Sequence, residues 1–203
     1  MRALLVLLLL PCVAQADIEG KVVGITFDDG YLNNLTHALP VLQSYGFSST
    51  CYFVSHRLGR TNDWDHDLGI GQVPLMTADQ MRQWQAGGQE VGAHSRNHLR
   101  LTRLSEQGAR DEITCAKSEL EHLSGRAVGH FCYPFGEFDQ QHVRMVAQAG
   151  YQTATTTDRG RALPGDDLLQ LPRVPVLRTT TCVALWMKLA TAYEDRRRVR
   201  RSP

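Results

Sequence analysis

The chain has 203 residues, of which 42% are hydrophobic, and a formal net charge of +1. This length suits one globular domain with a sizeable core, and we place that domain at residues 17–193. The balanced charge gives no indication of a nucleic-acid partner, because such partners are bound through strongly basic surfaces.

Residues 1–16 have the pattern of a secretory signal peptide. Arg2 provides a positive start, Ala3–Leu10 an apolar run, and Ala14–Ala16 a small-x-small cleavage site. The apolar run is too short to span a bilayer, so we expect no stable membrane insertion. We predict a periplasmic or secreted protein. The alternative is a buried N-terminal helix or a misplaced start codon, in which case the protein is cytoplasmic.

The first predicted strand begins at Val22 and leads into two adjacent carboxylates, Asp28 and Asp29, followed by Gly30. Side chains alternate along a strand, so both carboxylates can face one site only if the backbone breaks there. Glycine permits such a break. Two like charges this close are costly unless a cation or a proton separates them. The alternative is a solvated turn, since Asp-Gly is a common turn dipeptide.

The rest of the chain alternates between strand and helix patterns, which is typical of parallel βαβ units. Further strands are predicted at Ser49–Val54, from Glu90 to the histidines, and at His130–Tyr133, Tyr151–Thr155 and Leu171–Val176. Helices are predicted at Asn33–Tyr45, from Thr77 to Gly87, and at Ser105–Leu123, Asp139–Ala149 and Val183–Tyr193. The chain is short for eight complete units, so we predict an incomplete α/β barrel with its functional residues at several strand ends.

The long segment 59–76 carries several acidic residues and a histidine around Trp64. We interpret it as a polar loop rather than a second metal site. Trp64 is a candidate sugar platform, because flat aromatic rings stack on the apolar faces of pyranoses.

Two histidines four residues apart, His94 and His98, follow the apolar segment that ends at Ala93. Such a pair is a weak signal by itself. Together with the paired aspartates it predicts an Asp-His-His site that leaves one position open for water. Imidazole and carboxylate are ligands of a borderline cation such as Zn²⁺.

Three short motifs make the sequence recognisable: Thr26–Gly30, His94–His98 and Tyr133–Gly136. In this order and at this spacing they resemble the motifs of the NodB-like polysaccharide deacetylases, carbohydrate esterase family 4. The resemblance runs from about Val22 to about Val176. It implies a single-domain, distorted (β/α)7 barrel with parallel strands and outer helices.

The resemblance also implies roles for individual residues. Asp29, His94 and His98 are expected to hold a divalent metal, most plausibly Zn²⁺, with Co²⁺, Ni²⁺ or Mn²⁺ as alternatives, and Asp28 is expected to act as general base. The backbone N–H of Phe135 matches an oxyanion donor. The expected substrate-binding residues are Tyr133, Pro134, Leu171 and Trp64, although the phenol ring of Tyr133 also suits a core position.

Two departures from the family pattern concern the general acid and an arginine. The usual third motif carries an arginine that orients the catalytic aspartate, and Cys132 occupies that position. The usual fifth motif supplies a histidine that protonates the leaving amine, whereas this sequence has Leu171-Pro172-Arg173. Arg173 is a candidate for the orienting role, but an arginine does not donate a proton at neutral pH. Asp28, once protonated, is a candidate for returning the proton.

Five cysteines and a basic C-terminus complete the sequence. Removal of residues 1–16 leaves four cysteines, an even number that permits disulfides after export, but we interpret them as scattered buried thiols. The tail at 194–203 carries five arginines and is predicted to be a solvated, disordered end.

The resulting hypothesis is a metal-dependent hydrolase that removes acetyl groups from an N-acetylated polysaccharide or oligosaccharide. An esterase that removes O-acetyl groups with the same site is one alternative. A catalytically inactive, glycan-binding barrel is another. The four costly polar groups Asp28, Asp29, His94 and His98 argue against the inactive barrel.

Overall fold

The computed structural model describes residues 22–69 and 71–197. The predicted signal peptide and the end of the predicted tail lie outside these residues. The strands are Ile25–Phe27 (β1), Ser49–Phe53 (β2), Glu90–Ala93 (β3), His130–Cys132 (β4), Thr153–Arg159 (β5) and Leu171–Arg173 (β6). The α-helices are Leu39–Ser44 (α1), Ala78–Ala86 (α2), Glu106–Ser124 (α3), Gln140–Gln148 (α4) and Cys182–Ala190 (α5).

All six strands form one parallel sheet in the order β1-β2-β3-β4-β5-β6. The sheet is curled. A contact between its first and last strands shows this, since the guanidinium of Arg173 on β6 donates to Thr26 Oγ1 on β1 at 3.3 Å. The two outermost strands therefore face each other across a common interior. This confirms the predicted α/β barrel with parallel strands and outer helices; the described residues supply six strands to it.

The two faces of the strands have different surroundings, as the alternation of side chains requires. One face packs against the helices around fully buried residues such as Phe53, Phe131, Trp84 and Ile113. The other face lines the barrel interior, where the Arg173 guanidinium also donates to Cys132 Sγ at 3.3 Å. The barrel interior is thus polar up to the carboxyl ends of the strands.

The predicted helix at 33–45 is present in two pieces. A five-residue π-helical segment, Asn34–Ala38, precedes α1, and Pro40 stands in the first turn of α1. A proline there removes no intrahelical hydrogen bond, because the first N–H groups of a helix have no partner within it. The strand predicted at Tyr151–Thr155 begins later and continues to Arg159, whereas β6 ends at Arg173 rather than Val176.

The ordered chain continues past the predicted boundary at residue 193. Glu194 is 0% exposed and accepts hydrogen bonds from Arg159, at 2.8 and 2.9 Å, and lies 3.0 Å from Lys188 Nζ. The first residues of the predicted disordered tail therefore belong to the fold. Within the described residues, no helix is long and apolar enough to cross a membrane.

The cysteines of the described residues are free thiols. Cys51 and Cys132 are buried, Cys115 is half-buried and Cys182 is exposed. The prediction of scattered buried thiols is therefore confirmed for Cys51 and Cys132 and wrong for the exposed Cys182, and no disulfide links the described elements.

Candidate active site

The two aspartates occupy a turn directly after β1. The backbone break begins at Asp29, with φ of 71°, and continues through Gly30, with φ of 73°. A Cβ at Gly30 would lie 2.7 Å from Phe53 Cδ1, so this position has no room for a side chain. The left-handed residues let Asp28 and Asp29 reach one site from different sides.

A second strained turn carries the histidines after β3. Ser95 has φ of 60° and His98 has φ of 59°. The Ser95 hydroxyl accepts a hydrogen bond from the His98 backbone N–H at 3.0 Å. This contact fixes the spacing of His94 and His98, so Ser95 supports the histidine turn.

Glu112 of α3 supports the same turn through hydrogen bonds. This role of Glu112 was not predicted from the sequence. Its carboxylate accepts from the backbone N–H groups of Arg96, at 3.1 Å, and Asn97, at 2.7 Å, and from Asn97 Nδ2 at 2.6 Å. Glu112 is 5% exposed. A signal was present in the sequence, because Glu112 lies on the buried stripe of α3 with Ala109 and Ala116 at helical spacing.

The structure brings Asp29, His94 and His98 together into one group of possible metal ligands. Asp29 Oδ1 lies 3.4 Å from His94 Nε2 and 3.4 Å from His98 Nε2, and the two Nε2 atoms are 3.2 Å apart. Tetrahedral zinc with bonds of about 2.0–2.1 Å requires its ligand atoms to be about 3.3–3.4 Å apart. Asp29 Oδ1 is buried and has no hydrogen-bond partner among the described residues. The group therefore fits a divalent cation.

The two histidines are oriented by different means. His94 Nδ1 lies 2.7 Å from the backbone carbonyl of Cys132, which makes Nδ1–H the donor and leaves Nε2 a free lone pair. His98 Nδ1 is buried with no hydrogen-bond partner in the described chain. Its ring is instead packed between Trp64, at 4.3 Å and 24°, and Phe135, at 4.5 Å and 65°. Burial and the neighbouring His94 hold the pKa of His98 well below its ordinary value, so the His98 imidazole is suited to be a neutral ligand.

The electrostatic environment of Asp29 is unfavourable to its charge. Burial, together with the charges of Asp28 and Asp65, raises the pKa of Asp29 from 3.8 to about 6, against the opposing effect of His94. A bound cation would reverse this effect, because opposite charge favours the ionised carboxylate.

Asp28 has the opposite environment. Arg173 Nη1 donates to Asp28 Oδ1 and Nη2 donates to Oδ2, both at 2.7 Å. Burial alone would raise the pKa of Asp28, but the Arg173 guanidinium outweighs it, and the pKa lies below its ordinary value. Arg173 thus occupies the orienting role for which the sequence made it a candidate.

Every N–H group of the Arg173 guanidinium can be assigned a partner. Besides Asp28, Thr26 and Cys132, the backbone carbonyl of Thr156 accepts from Nε at 2.7 Å. Arg173 is 1% exposed, so this network is built into the barrel interior.

Asp28, His94 and Cys132 form a second grouping with metal-ligand chemistry. Both oxygens of Asp28 are engaged by Arg173. Burial raises the pKa of the Cys132 thiol, which keeps it neutral, whereas a metal binds the thiolate. The Asp29 grouping is therefore the better cation site, and Cys132 behaves as a small buried thiol.

Phe135 lies in a tight turn that follows β4, with φ of 57°. The next residue, Gly136, cannot carry a side chain, because a Cβ there would lie 1.9 Å from Thr157 Oγ1. The Phe135 ring contacts His98, and the Arg100 guanidinium lies 4.0 Å from its centroid. The turn thus brings the Phe135 side chain against the candidate metal ligand His98, and the oxyanion role of its backbone N–H stays a prediction.

The predicted substrate-binding residues have different locations. Trp64 is half-buried beside His98. Tyr133 is 0% exposed, stacks on Phe138 and donates its hydroxyl hydrogen to the Leu169 carbonyl at 3.0 Å. Its side chain is a core residue, and the predicted substrate contact is wrong for it in this structure. Pro134 and Leu171 are also buried, and Leu171 packs with Ala162.

Backbone strain in the described residues is concentrated at this site. The non-glycine residues with positive φ are Asp29, Ser95, His98 and Phe135. Such conformations cost of order 1–3 kcal/mol each and persist only where surrounding contacts enforce them. Their clustering around one group of ligands indicates a functional site.

Comparisons with known proteins agree with this geometry. A family model described as polysaccharide deacetylase matches residues 15–154, more than half of the chain. YxkH of Bacillus subtilis is 28% identical over 156 residues, which cover 77% of this chain and 52% of YxkH. The chitooligosaccharide deacetylase of Azorhizobium caulinodans is 28% identical over 128 residues, which cover 62% of this chain and 53% of that protein. This chain therefore spans about half the length of these curated relatives.

A solved structure gives the same result for the fold. The Streptococcus pyogenes deacetylase PplD, determined in complex with acetate, has a TM-score of 0.73 at 23% identity, covering 86% of this chain and 73% of PplD. At this identity the likeness establishes the shared barrel. The family match and the ordered set of three motifs lead to one conclusion: the chain belongs to the polysaccharide deacetylase family.

Proposed function

We propose that this protein is a metal-dependent hydrolase that removes acetyl groups from an N-acetylated polysaccharide or oligosaccharide. The main observation in support of the proposal is that one turn supplies both a carboxylate of the cation site and a second, ionised carboxylate beside it. Asp29 and the two histidines form a cation site, and Asp28 lies directly beside it as an ionised carboxylate held by Arg173. The chitooligosaccharide deacetylase similarity supports the substrate class.

The expected cation is divalent. Zn²⁺ suits the imidazole and carboxylate donors best, and Co²⁺, Ni²⁺ and Mn²⁺ are compatible with the same donor set. When bound, such an ion lowers the pKa of a water molecule and polarises a carbonyl oxygen.

Residues of this chain are assigned to the proton transfer and to the stabilisation of the developing negative charge. Asp28 takes the proton from the attacking water, and Arg173 keeps its carboxylate ionised and fixed in orientation. Asp28 Oδ1 also accepts from the Cys132 thiol at 3.7 Å, whereas Oδ2 retains a second lone pair beyond its bond to Arg173, so proton acceptance remains possible there. We assign the Phe135 backbone N–H to stabilise the negative charge that develops on the substrate oxygen, and the contact of the Phe135 ring with His98 supports this assignment.

The leaving group requires a proton, and the position matched to the family's acid histidine is Arg173. Its N–H groups are committed to Asp28, Thr26, Cys132 and Thr156, and a guanidinium does not deprotonate. In the deacetylase proposal, protonated Asp28 returns its proton to the amine. The same observation favours O-acetyl ester cleavage as a second candidate, because an alkoxide is a better leaving group than an amine.

The test is acetate release from metal-loaded protein with an N-acetylglucosamine oligomer and an O-acetylated xylan, measured side by side. We expect release from the N-acetyl substrate and a loss of about 10²–10⁴-fold in rate for Asp28→Asn. The exposed Asp79→Asn is the matched control and should retain full activity. Release from the ester alone would replace the deacetylase by the esterase, and no release from either substrate would overturn both.

Export to the periplasm or the exterior is part of this proposal. It rests on the signal-peptide pattern of residues 1–16. Recovery of the mature chain beginning near Asp17 from the exported fraction would test it.

A further inference from the structure

The loop 59–76 is joined to the aspartate turn by backbone hydrogen bonds. Met76 N–H donates to the Gly30 carbonyl at 2.8 Å, and Leu32 N–H donates to the Pro74 carbonyl at 2.9 Å. The loop therefore moves with the turn that carries Asp29, and its contacts with the site are part of the folded structure.

Asn62 closes the loop on itself. This side chain is 0% exposed, and its Oδ1 accepts from Val73 N–H at 2.6 Å while its Nδ2 donates to Asp65 Oδ2 at 3.1 Å. A buried amide with both ends engaged fixes the short helical segment Asp63–Leu68 that follows it. Trp64 and Asp65 are consequently presented to the site from a rigid base.

Trp64 and Asp65 contact the surroundings of two different candidate metal ligands, His98 and Asp29. The Trp64 ring stacks on His98, whose Nδ1 has no hydrogen-bond partner among the described residues, so packing must hold this ring. The Tyr31 hydroxyl is within hydrogen-bond reach of both Asp29 and Asp65, and it donates its single hydrogen to one of these carboxylates at a time. Because Asp29 Oδ1 accepts no hydrogen bond, the Tyr31 contact is made through Oδ2, which turns Oδ1 toward the two Nε2 atoms.

We propose that Tyr31 and Trp64 are positioning residues of the metal site: Tyr31 orients Asp29, Trp64 orients His98, and Asp65 acts through Tyr31. They perform for these two ligands what the Cys132 carbonyl performs for His94. Outer partners of this kind fix ligand geometry before the cation arrives, and their loss typically costs 10–100-fold in metal affinity or activity. The inference rests on the proposed metal site but not on any substrate.

The experiment measures Zn²⁺ affinity of the full chain by competition with a chromophoric chelator, without substrate. Tyr31→Phe removes only a hydroxyl and is expected to weaken affinity by about 10–100-fold. Asp65→Asn should weaken it less, and the double variant should be no worse than Tyr31→Phe, because the two residues act on one contact. Trp64→Ala should also weaken affinity, and the stacking variant Trp64→Phe should restore most of it.

Tyr45→Phe is the matched control, since Tyr45 is 70% exposed and stacks on Phe47 away from these ligands. Its Zn²⁺ affinity should equal that of the wild type. The melting temperature of each metal-free variant is recorded in parallel. A purely structural role would lower that temperature in Tyr31→Phe and leave the affinity unchanged, and this result would overturn the proposal for Tyr31.

Acetate release by the same variants separates this inference from the proposed function. If Trp64→Ala raises the KM for the oligomer without changing Zn²⁺ affinity, Trp64 is a sugar platform and its positioning role is wrong. If Tyr31→Phe weakens Zn²⁺ binding while the wild type releases no acetate, the positioning inference holds and the proposed function fails. A wild type that binds no Zn²⁺ would overturn the inference.

Discussion

Asp28 and Asp29 are neighbours in sequence but belong to two different regions of the molecule. Asp28 faces the barrel interior, where a buried arginine binds both of its oxygens. Asp29 faces the outer rim, where two imidazoles surround one oxygen that accepts no hydrogen bond in the described chain. In the inner region, the negative charge of Asp28 is balanced by a side chain of the protein itself, Arg173. In the outer region, the negative charge of Asp29 is balanced only when a cation is added, because no positively charged side chain among the described residues compensates it.

This difference explains how one turn can supply two roles. Arg173 keeps Asp28 ionised and fixed in orientation, so Asp28 is available to accept a proton. Asp29 presents an unpartnered oxygen to two imidazoles, which suits it to bind a cation. The strained φ of Asp29 is what separates the two environments. Three predictions follow from the contrast between the inner and outer regions.

The largest expected effect is on the inner region. Arg173→Met should lower the free energy of unfolding by about 3–5 kcal/mol, because it leaves Asp28 partly buried with an uncompensated charge. The measurement is urea unfolding of the metal-free protein at pH 8. The double variant Asp28→Leu/Arg173→Met should recover most of the loss, since a buried ion pair can be replaced by apolar side chains of similar volume. A single variant as stable as the wild type would show that the pair does not hold the interior.

The outer region should respond to pH with the opposite sign. The pKa of Asp29 is raised from 3.8 to about 6 in the folded state, so its contribution to stability is fully present below about pH 4 and is lost as the pH rises through 6. Asp29→Asn should therefore stabilise the metal-free protein at pH 8 by up to about 3 kcal/mol and have little effect at pH 4.

Urea midpoints in the presence of a chelator, from pH 4 to pH 8, provide the measurement. Asp28→Asn is the matched control and should destabilise at pH 8, because it leaves Arg173 unpaired. Equal destabilisation by both substitutions would contradict the division into two regions.

The smallest expected effect concerns Cys132, the residue that contacts both regions. Its thiol lies beside Asp28 and Arg173, and its backbone carbonyl accepts from His94. Cys132→Ala should cost about 1 kcal/mol through one weakened contact, and the Zn²⁺ affinity should not change because the carbonyl remains. Calorimetric titration with Zn²⁺ tests this. Loss of binding would make Cys132 a ligand, and Cys132→Ser is the control that keeps the volume.

Some of this protein could be predicted from the sequence because the relevant signals are local. The alternation of strands and helices and the order of the motifs predicted a parallel α/β barrel. Chemical type and spacing predicted an Asp-His-His site, and the family resemblance assigned Asp29 rather than Asp28 to the cation. Each signal depends on neighbouring residues and on periodicity, which a single sequence records directly.

The remainder was decided by contacts between residues distant in sequence. Arg173 lies 145 residues from Asp28, and Glu112 supports a turn about 15 residues away. No local pattern reports that Tyr133 turns into the core, or that Trp64 stacks on His98. The sequence determined which chemical groups this protein carries and at which strand ends they stand. Only the curled sheet determined which of them meet, because closing the interior brings β1 and β6 together and sets the charge that each carboxylate experiences.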